Sequence, residues 1–181
     1  GRAWVDHAFF VGGTPDNAAQ VADLERLPGC AGIKVFMGSS TGSLLVEDDD
    51  HLDVLTRHVR RRFAVHAEDE PRLRERRALV EGGADVGQHP VWRDPEAALR
   101  ATRRITDLCR RHGARVQVLH ISTAEEMEVL QACKDVATVE VTPQHLTLAA
   151  PECYARWGSH AQMNPPIREQ AHQDALWRAI D

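Results

Sequence analysis

A chain of 181 residues with 43% hydrophobic and 27% charged residues is long enough to bury one core, and its composition is that of an ordinary soluble globular domain. The formal net charge of -5 argues against a general phosphate-binding surface; the arginine-rich stretches at 57–62 and 72–77 lie among acidic and apolar residues at helical spacing, which marks solvated helix faces and not a nucleic-acid site. No apolar run nears the roughly 18 residues that cross a membrane. The opening Gly1-Arg-Ala-Trp-Val-Asp lacks the form of a signal peptide, and Cys30, Cys109, Cys133 and Cys153 include no C-x-x-C pair, so reduced thiols and a cytoplasmic setting are expected.

Short apolar runs alternate with longer amphipathic stretches, the rhythm of β/α units. A strand over residues 4–11 ends at Gly12-Gly13, and Thr14-Pro15-Asp16 supplies a cap and a first-turn proline for a helix reaching Leu27. The next strand covers 32–37. After a Gly/Ser/Thr loop at 38–43, a helix over 50–62 leads into a strand over 63–66, and a further helix is expected over 70–81. Residues 84–93 hold Pro90 and other turn formers and read as a loop. Asp94-Pro95 opens the clearest helix: Ala98, Ala101, Ile105, Leu108 and Cys109 form one stripe, and Gly113 stops it. A strand over 115–121 is followed by a helix whose start carries two capping-box patterns, Ser122-x-x-Glu125 and Thr123-x-x-Glu126, and then by a strand over 138–142. The tail reads as a proline-interrupted loop through Asn164-Pro-Pro166 and a helix over 172–180.

Strands joined by helical crossovers imply a parallel sheet. His66 and His120 each stand at the carboxyl end of an apolar strand, and Gln144-His145 closely follow another. A closed barrel gathers such ends on its catalytic face, whereas an open sheet gathers some of them at a switch point; the positions favour the barrel. Lys34 is one of two lysines in a chain with twenty arginines, and it lies inside the apolar run Ala31-Gly-Ile-Lys-Val-Phe-Met-Gly38. A lysine on a buried strand must be neutralised, paired or modified. The candidates are thus Lys34, His66, His120, Glu140 and His145. Strand-end histidines are commonly hydrogen-bonded structural residues; two on neighbouring strands with an in-strand lysine also fit a metal site, because imidazoles suit zinc.

Five blocks in order, Gly32-Ile-Lys-Val-Phe-Met-Gly-Ser-Ser-Thr-Gly42, Val65-His-Ala-Glu-Asp69, Val118-Leu-His-Ile-Ser-Thr123, Glu140-Val-Thr-Pro-Gln-His-Leu146 and Met163-Asn-Pro-Pro-Ile-Arg168, together resemble dihydroorotase of the amidohydrolase superfamily. The Lys34 block with its Ser-Ser-Thr-Gly loop resembles dihydroorotase more than hydantoinase, dihydropyrimidinase or allantoinase. The resemblance implies a (β/α)8 TIM-type barrel and a two-metal centre, with two zinc or other divalent ions. It implies that Lys34 is carbamylated, its carboxylate bridging the metals, and that His66 and His120 complete the shell of one of them. Glu140 matches a position that touches an additional metal in some members and otherwise reads as a capping carboxylate. Asn164 matches a substrate-contacting asparagine and otherwise reads as an Asn-Pro turn; His145 is a second candidate for substrate contact. The implied reaction is the reversible hydrolysis of L-dihydroorotate to N-carbamoyl-L-aspartate.

The His-x-His pair of the first barrel strand and the Asp-bearing block of the eighth do not occur in the sequence, His7 stands alone, and Gln144 replaces the first histidine of a pair. The chain therefore reads as a single partial barrel domain over 1–181, about strands 3 to 7 of a longer enzyme and inactive alone. A cyclic-amide hydrolase of another substrate and a non-catalytic dihydroorotase-like module remain the alternatives. A small-molecule substrate is the expected partner, with a homo-oligomer left open and neither nucleic acid nor membrane expected. Small residues at 38–43 suggest a loop that helps close the site over substrate.

Overall fold

Ile33, Val35 and Met37 alternate with Gly32, Lys34 and Phe36 along one extended segment, so a strand here must bury one face under other elements. The computed structural model, which describes residues 4–38 and 44–180, builds that strand into a five-stranded sheet. The strands are β1 (Phe9–Gly12), β2 (Cys30–Phe36), β3 (Phe63–His66), β4 (Val116–Val118) and β5 (Ala137–Val139), every neighbouring pair being parallel. Their spatial order equals their sequence order, β1-β2-β3-β4-β5. A doubly wound open sheet reverses its order at a switch point. This one does not, and has the arrangement of consecutive β/α units along a barrel wall.

Between the strands lie α1 (Val21–Leu24), α2 (Asp49–His58), α3 (Glu70–Glu75), α4 (Gln88–Trp92), α5 (Pro95–His112) and α6 (Ala124–Gln131); α7 (Pro143–Thr147), α8 (Glu152–Trp157) and α9 (Gln170–Ile180) follow β5. The core joins the outward residues Ile33, Val35, Phe63, Val65, Val116 and Val118 to Leu52 and Leu55 of α2, Ala101 and Ile105 of α5, Leu130 of α6 and Leu176 of α9. Each large side chain buried there contributes about 1.5–3 kcal/mol relative to exposure. The helices start where side chains satisfy free N–H groups: Asp48, Asp69, Asp94 and Thr123 accept from the backbone N–H of His51, Arg72, Ala97 and Glu126. Gly113 closes α5 with φ 68°, its N–H bonded to Cys109 O.

Several local expectations shift. The first strand begins at Phe9 because it pairs only from Cys30 onward, and Trp4 and Val5 are exposed. The helix expected to Leu27 opens as a 3-10 segment, Pro15–Gln20, where the Asn17 side chain accepts from Thr14 N–H and donates to Gly12 O. The helix expected over 70–81 breaks after Glu75: Leu73 O accepts a 2.7 Å hydrogen bond from the Trp92 indole instead of continuing the ladder. Residues 84–93 are not all loop, since α4 carries Pro90 in its first turn, where a helix needs no N–H donor. The stretch before Asn164 also holds α7 and α8, with Pro143 and Pro151 acting as helix starters and not as breakers.

Gly38 passes so close to β3's continuation that an added Cβ would overlap the Glu68 carbonyl. Gly38→Ala is therefore expected to cost about 1–3 kcal/mol. Gly113→Ala, where nothing lies nearby but φ is positive, should cost about 1–2 kcal/mol. Urea unfolding of both variants measures this; only Gly38→Ala should also disturb the Glu68 surroundings, read as shifted His66 ring resonances.

Candidate metal centre

The alternation that sends Ile33 and Val35 to the core sends Lys34 to the opposite face of β2, two residues short of Phe36, which pairs with His66. The Lys34 Nζ is buried, has no hydrogen-bond partner among the described residues, and stands 4.3 Å from the centroid of the Phe36 ring. Burial lowers its pKa from the ordinary lysine value to about 8, with the Glu140 carboxylate opposing the shift. A substantial share of this amine is neutral at mildly alkaline pH, and so nucleophilic.

His66 closes β3, and its ring meets that of His120 edge-on, centroids 4.8 Å apart and planes at 74°. The His66 Nδ1 to His120 Nε2 distance is 3.2 Å. His120 lies just beyond β4 with φ 42°, the non-glycine residue with positive φ among those described. Its neighbours impose this strain: Leu119 N–H donates to Val65 O, Ile121 N–H to Glu140 O, and the His120 N–H itself points to Glu140 Oε1 at 3.3 Å. Burial, followed by the charges of His66 and Lys34, pushes His120 down to about 3, so the ring is neutral. Its Nδ1 is buried without a partner among the described residues.

The other nitrogen of His66, Nε2, lies 2.7 Å from Glu68 Oε2. Glu68 is fully buried, which alone would raise its pKa, yet the His66 hydrogen bond and the Arg93 guanidinium hold it well below the usual carboxylate range. Arg93, 1% exposed, grips both Glu68 oxygens, with Nε 3.1 Å from Oε1. Arg168 in turn donates to Arg93 O and to Ser122 Oγ. Glu68, Arg93 and Arg168 were not singled out from the sequence. The readable signal was the spacing of His66 and Glu68, which in extended chain puts both side chains on one side.

The remaining candidates part company with this cluster. Glu140 is exposed and acts on the site through the His120 backbone and through its charge on Lys34. His145 is buried with both ring nitrogens engaged, Nδ1 with Thr142 Oγ1 at 2.8 Å and Nε2 with Pro165 O at 3.1 Å, so it offers no free nitrogen to a ligand. Asn164 is exposed beside the buried His89, whose Nε2 donates to Met163 O at 3.0 Å. His7 is exposed before β1. The loop expected to close over substrate lies, at 39–43, outside the described residues.

Two nitrogens bound to one tetrahedral zinc stand about 3.3 Å apart, and the His66–His120 pair has 3.2 Å. Among the described residues, no group of three or more His, Cys, Asp and Glu side chains converges as a metal cage. The donors at this end of the sheet are two imidazoles and an orphaned amine, a set that suits a cation of the zinc class but leaves positions for other donors.

No family model matches the chain. It is 30% identical over 182 residues to a dihydroorotase of Methanosarcina mazei and 31% identical over 188 residues to an allantoinase of Streptomyces avermitilis, covering 94% and 99% of this chain. The chain is homologous to the cyclic amidohydrolases. Its structure superposes on the L-hydantoinase (dihydropyrimidinase) of Arthrobacter aurescens with a TM-score of 0.87 at 24% identity, over 96% of this chain and 40% of that one. The dihydropyrimidinase of Brevibacillus agri NCHU1002 gives 0.84 at 26% identity, over 99% and 41%. The five strands are therefore part of a TIM-type barrel. The chain spans about 40% of the length of the curated relatives it matches.

The metal-free protein should show a Lys34 15Nζ resonance titrating with a midpoint near 8. Because the folded pKa lies below the unfolded one, the unfolded state holds more protons between about 8 and 10.5, and this residue's contribution to stability rises with pH across that window. A Lys34 midpoint above 10 in the folded protein would contradict the buried, unpaired placement.

Proposed function

We propose that the chain carries part of the active site of a dihydroorotase, a metal-dependent hydrolase that opens the cyclic amide of L-dihydroorotate to N-carbamoyl-L-aspartate. The observation that carries this reading is the buried Lys34 amine, without a hydrogen-bond partner among the described residues, beside the His66–His120 pair. A neutral amine in that position can add to carbon dioxide, forming an N–C bond and releasing one N–H proton to solvent, to give a carbamate, an anion that divalent cations would neutralise; arginine cannot do this. His66 and His120 would hold one of the cations through Nδ1 and Nε2, and the carbamate of Lys34 would supply anionic oxygen donors. Bound there, such ions supply Lewis acidity toward an amide carbonyl and activate water at neutral pH.

The residues of this chain act by holding those donors ready. Arg93 holds Glu68 as an acceptor, so His66 donates from Nε2 and turns Nδ1 toward His120 Nε2. His120 stays unprotonated to well below neutral pH, so its ring does not surrender its lone pair to a proton. The Phe36 ring against Lys34 helps keep water from the amine. A cytoplasmic setting suits the free cysteines, and no described helix is long and apolar enough to cross a membrane.

The second reading is a hydrolase of another cyclic amide, allantoin first, favoured by the 31% identity to the Streptomyces allantoinase over 99% of this chain and by Gln144 in place of a histidine. The decisive measurement is turnover of dihydroorotate, allantoin, hydantoin and dihydrouracil in parallel by a chain that supplies the rest of the barrel. Dihydroorotate is expected to be the best substrate; preference for allantoin would move the assignment to the second reading. In that longer chain Lys34→Ala should lower turnover at least about 1,000-fold, with partial rescue by acetate or propionate, and Lys34→Arg should not restore it. The 181-residue chain alone should show no turnover with added zinc. A rate comparable to the longer chain would mean that His7 or Glu140 supplies other ligands, or that His145 gives up one of its hydrogen bonds to do so.

A further inference from the structure

The pair of Glu68 and Arg93 is not explained by stability. Both side chains are essentially excluded from solvent, at 0% and 1% exposure. Burying an ion pair costs several kcal/mol in desolvation, and well-packed apolar residues of similar volume commonly serve a core equally well or better. What the pair does locally is geometric. Arg93 approaches Glu68 through two nitrogens and so fixes the plane of the carboxylate. Glu68 Oε2 then accepts from His66 Nε2 at 2.7 Å.

An imidazole turned over about its Cβ–Cγ bond exchanges Nδ1 with Cδ2, and packing alone scarcely distinguishes the two faces. The shorter hydrogen bond at Nε2, 2.7 Å, selects the face that turns Nδ1 toward His120 Nε2, 3.2 Å away. A carboxylate whose two oxygens both accept from one guanidinium has no proton to give, so the shared hydrogen sits on Nε2 and Nδ1 keeps its lone pair. We infer that Glu68, locked by Arg93, is a positioning residue that sets both the ring orientation and the tautomer of His66, and through them the affinity of this site for a divalent cation of the zinc class. The orientation half stands on geometry alone; the cation half rests on the proposed metal-dependent function.

The test begins with the 15N-labelled, metal-free protein at pH 8. Long-range 1H–15N spectra should show His66 Nε2 as the protonated nitrogen and Nδ1 as the bare one. Two double variants follow, each removing Arg93 so that no charge is left buried alone: Glu68→Met with Arg93→Met, and Glu68→Gln with Arg93→Met, the latter restoring a neutral acceptor. The first should lose the single tautomer and weaken cobalt(II) binding, followed by visible absorption, about 10- to 100-fold. The second should recover the tautomer and most of the affinity, a rescue that a purely structural role would not produce.

A wild-type His66 protonated on Nδ1 overturns the inference, whether or not any variant folds. So does a folded double-methionine variant with unchanged tautomer and unchanged cobalt affinity. If the wild-type protein binds no cobalt while the Nε2–H tautomer is seen and is lost in the double-methionine variant, the orientation claim is supported and the metal reading of the site fails.

Discussion

Two-residue alternation in β2 and β3 is the constraint from which the rest follows. Helices cover one face of the sheet, so Ile33, Val35, Phe63 and Val65 must point there. Lys34, Phe36, Ala64 and His66 have no choice but the other face. A register slip of one residue would drive a lysine and a histidine into the apolar core and expose the valines, at a cost far beyond the marginal stability of a domain. The core and the candidate site are thus two sides of one pattern. Substitutions that keep the core register keep the site in place as well.

The polar groups on that second face are controlled by three separate devices. Burial acts on Lys34 and lowers the proton affinity of its amine. The bidentate Arg93 grip on Glu68 acts on His66 through one hydrogen bond. Backbone strain acts on His120, whose positive φ is held by the hydrogen bonds of Leu119 and Ile121 to adjoining strand segments. Arg168 links the second device to the start of α6 through Ser122, where Glu126 accepts from Thr102 and Thr123. The Pro-Pro-Ile-Arg168 block therefore has a physical role beyond any contact with a ligand: its arginine ties the α4 end that carries Arg93 to the loop that follows β4.

The parallel β/α plan was legible because apolar period and capping chemistry agree along most of the chain. Asp48, Asp69, Asp94 and Thr123 are local signals, and each sits at a helix start in the structure. What the sequence hid depends on distant partners. The break after Glu75 follows from an indole nineteen residues away in sequence taking the Leu73 carbonyl. The α4 and α7 helices contain prolines that read as breakers until their first-turn positions are known. At the site, Lys34 was legible as an anomaly of composition and His66 and His120 as strand-end residues, but Arg93 was not, because nothing in a run of turn formers announces a guanidinium buried against Glu68. The engagement of both His145 nitrogens was equally hidden, since Thr142 is near in sequence and Pro165 is not.

On the proposed reading, a cation at this end of the sheet would meet donors whose positions do not wait for it. Ligands that must be ordered on binding lose side-chain entropy at that moment, on the order of 0.5–1.5 kcal/mol for each flexible side chain. Here His66 is fixed by Glu68, the His120 turn by Glu140 and the flanking strands, and the Lys34 amine by its packing against Phe36. These clamps are not independent, since Glu140 acts on both His120 and Lys34 and the His66 and His120 rings touch, so substitutions in two of them should couple and not simply add. Within that coupled cluster the two glutamates differ in role: Glu68 governs where a lone pair points, whereas Glu140 governs backbone shape at His120 and the charge felt by Lys34.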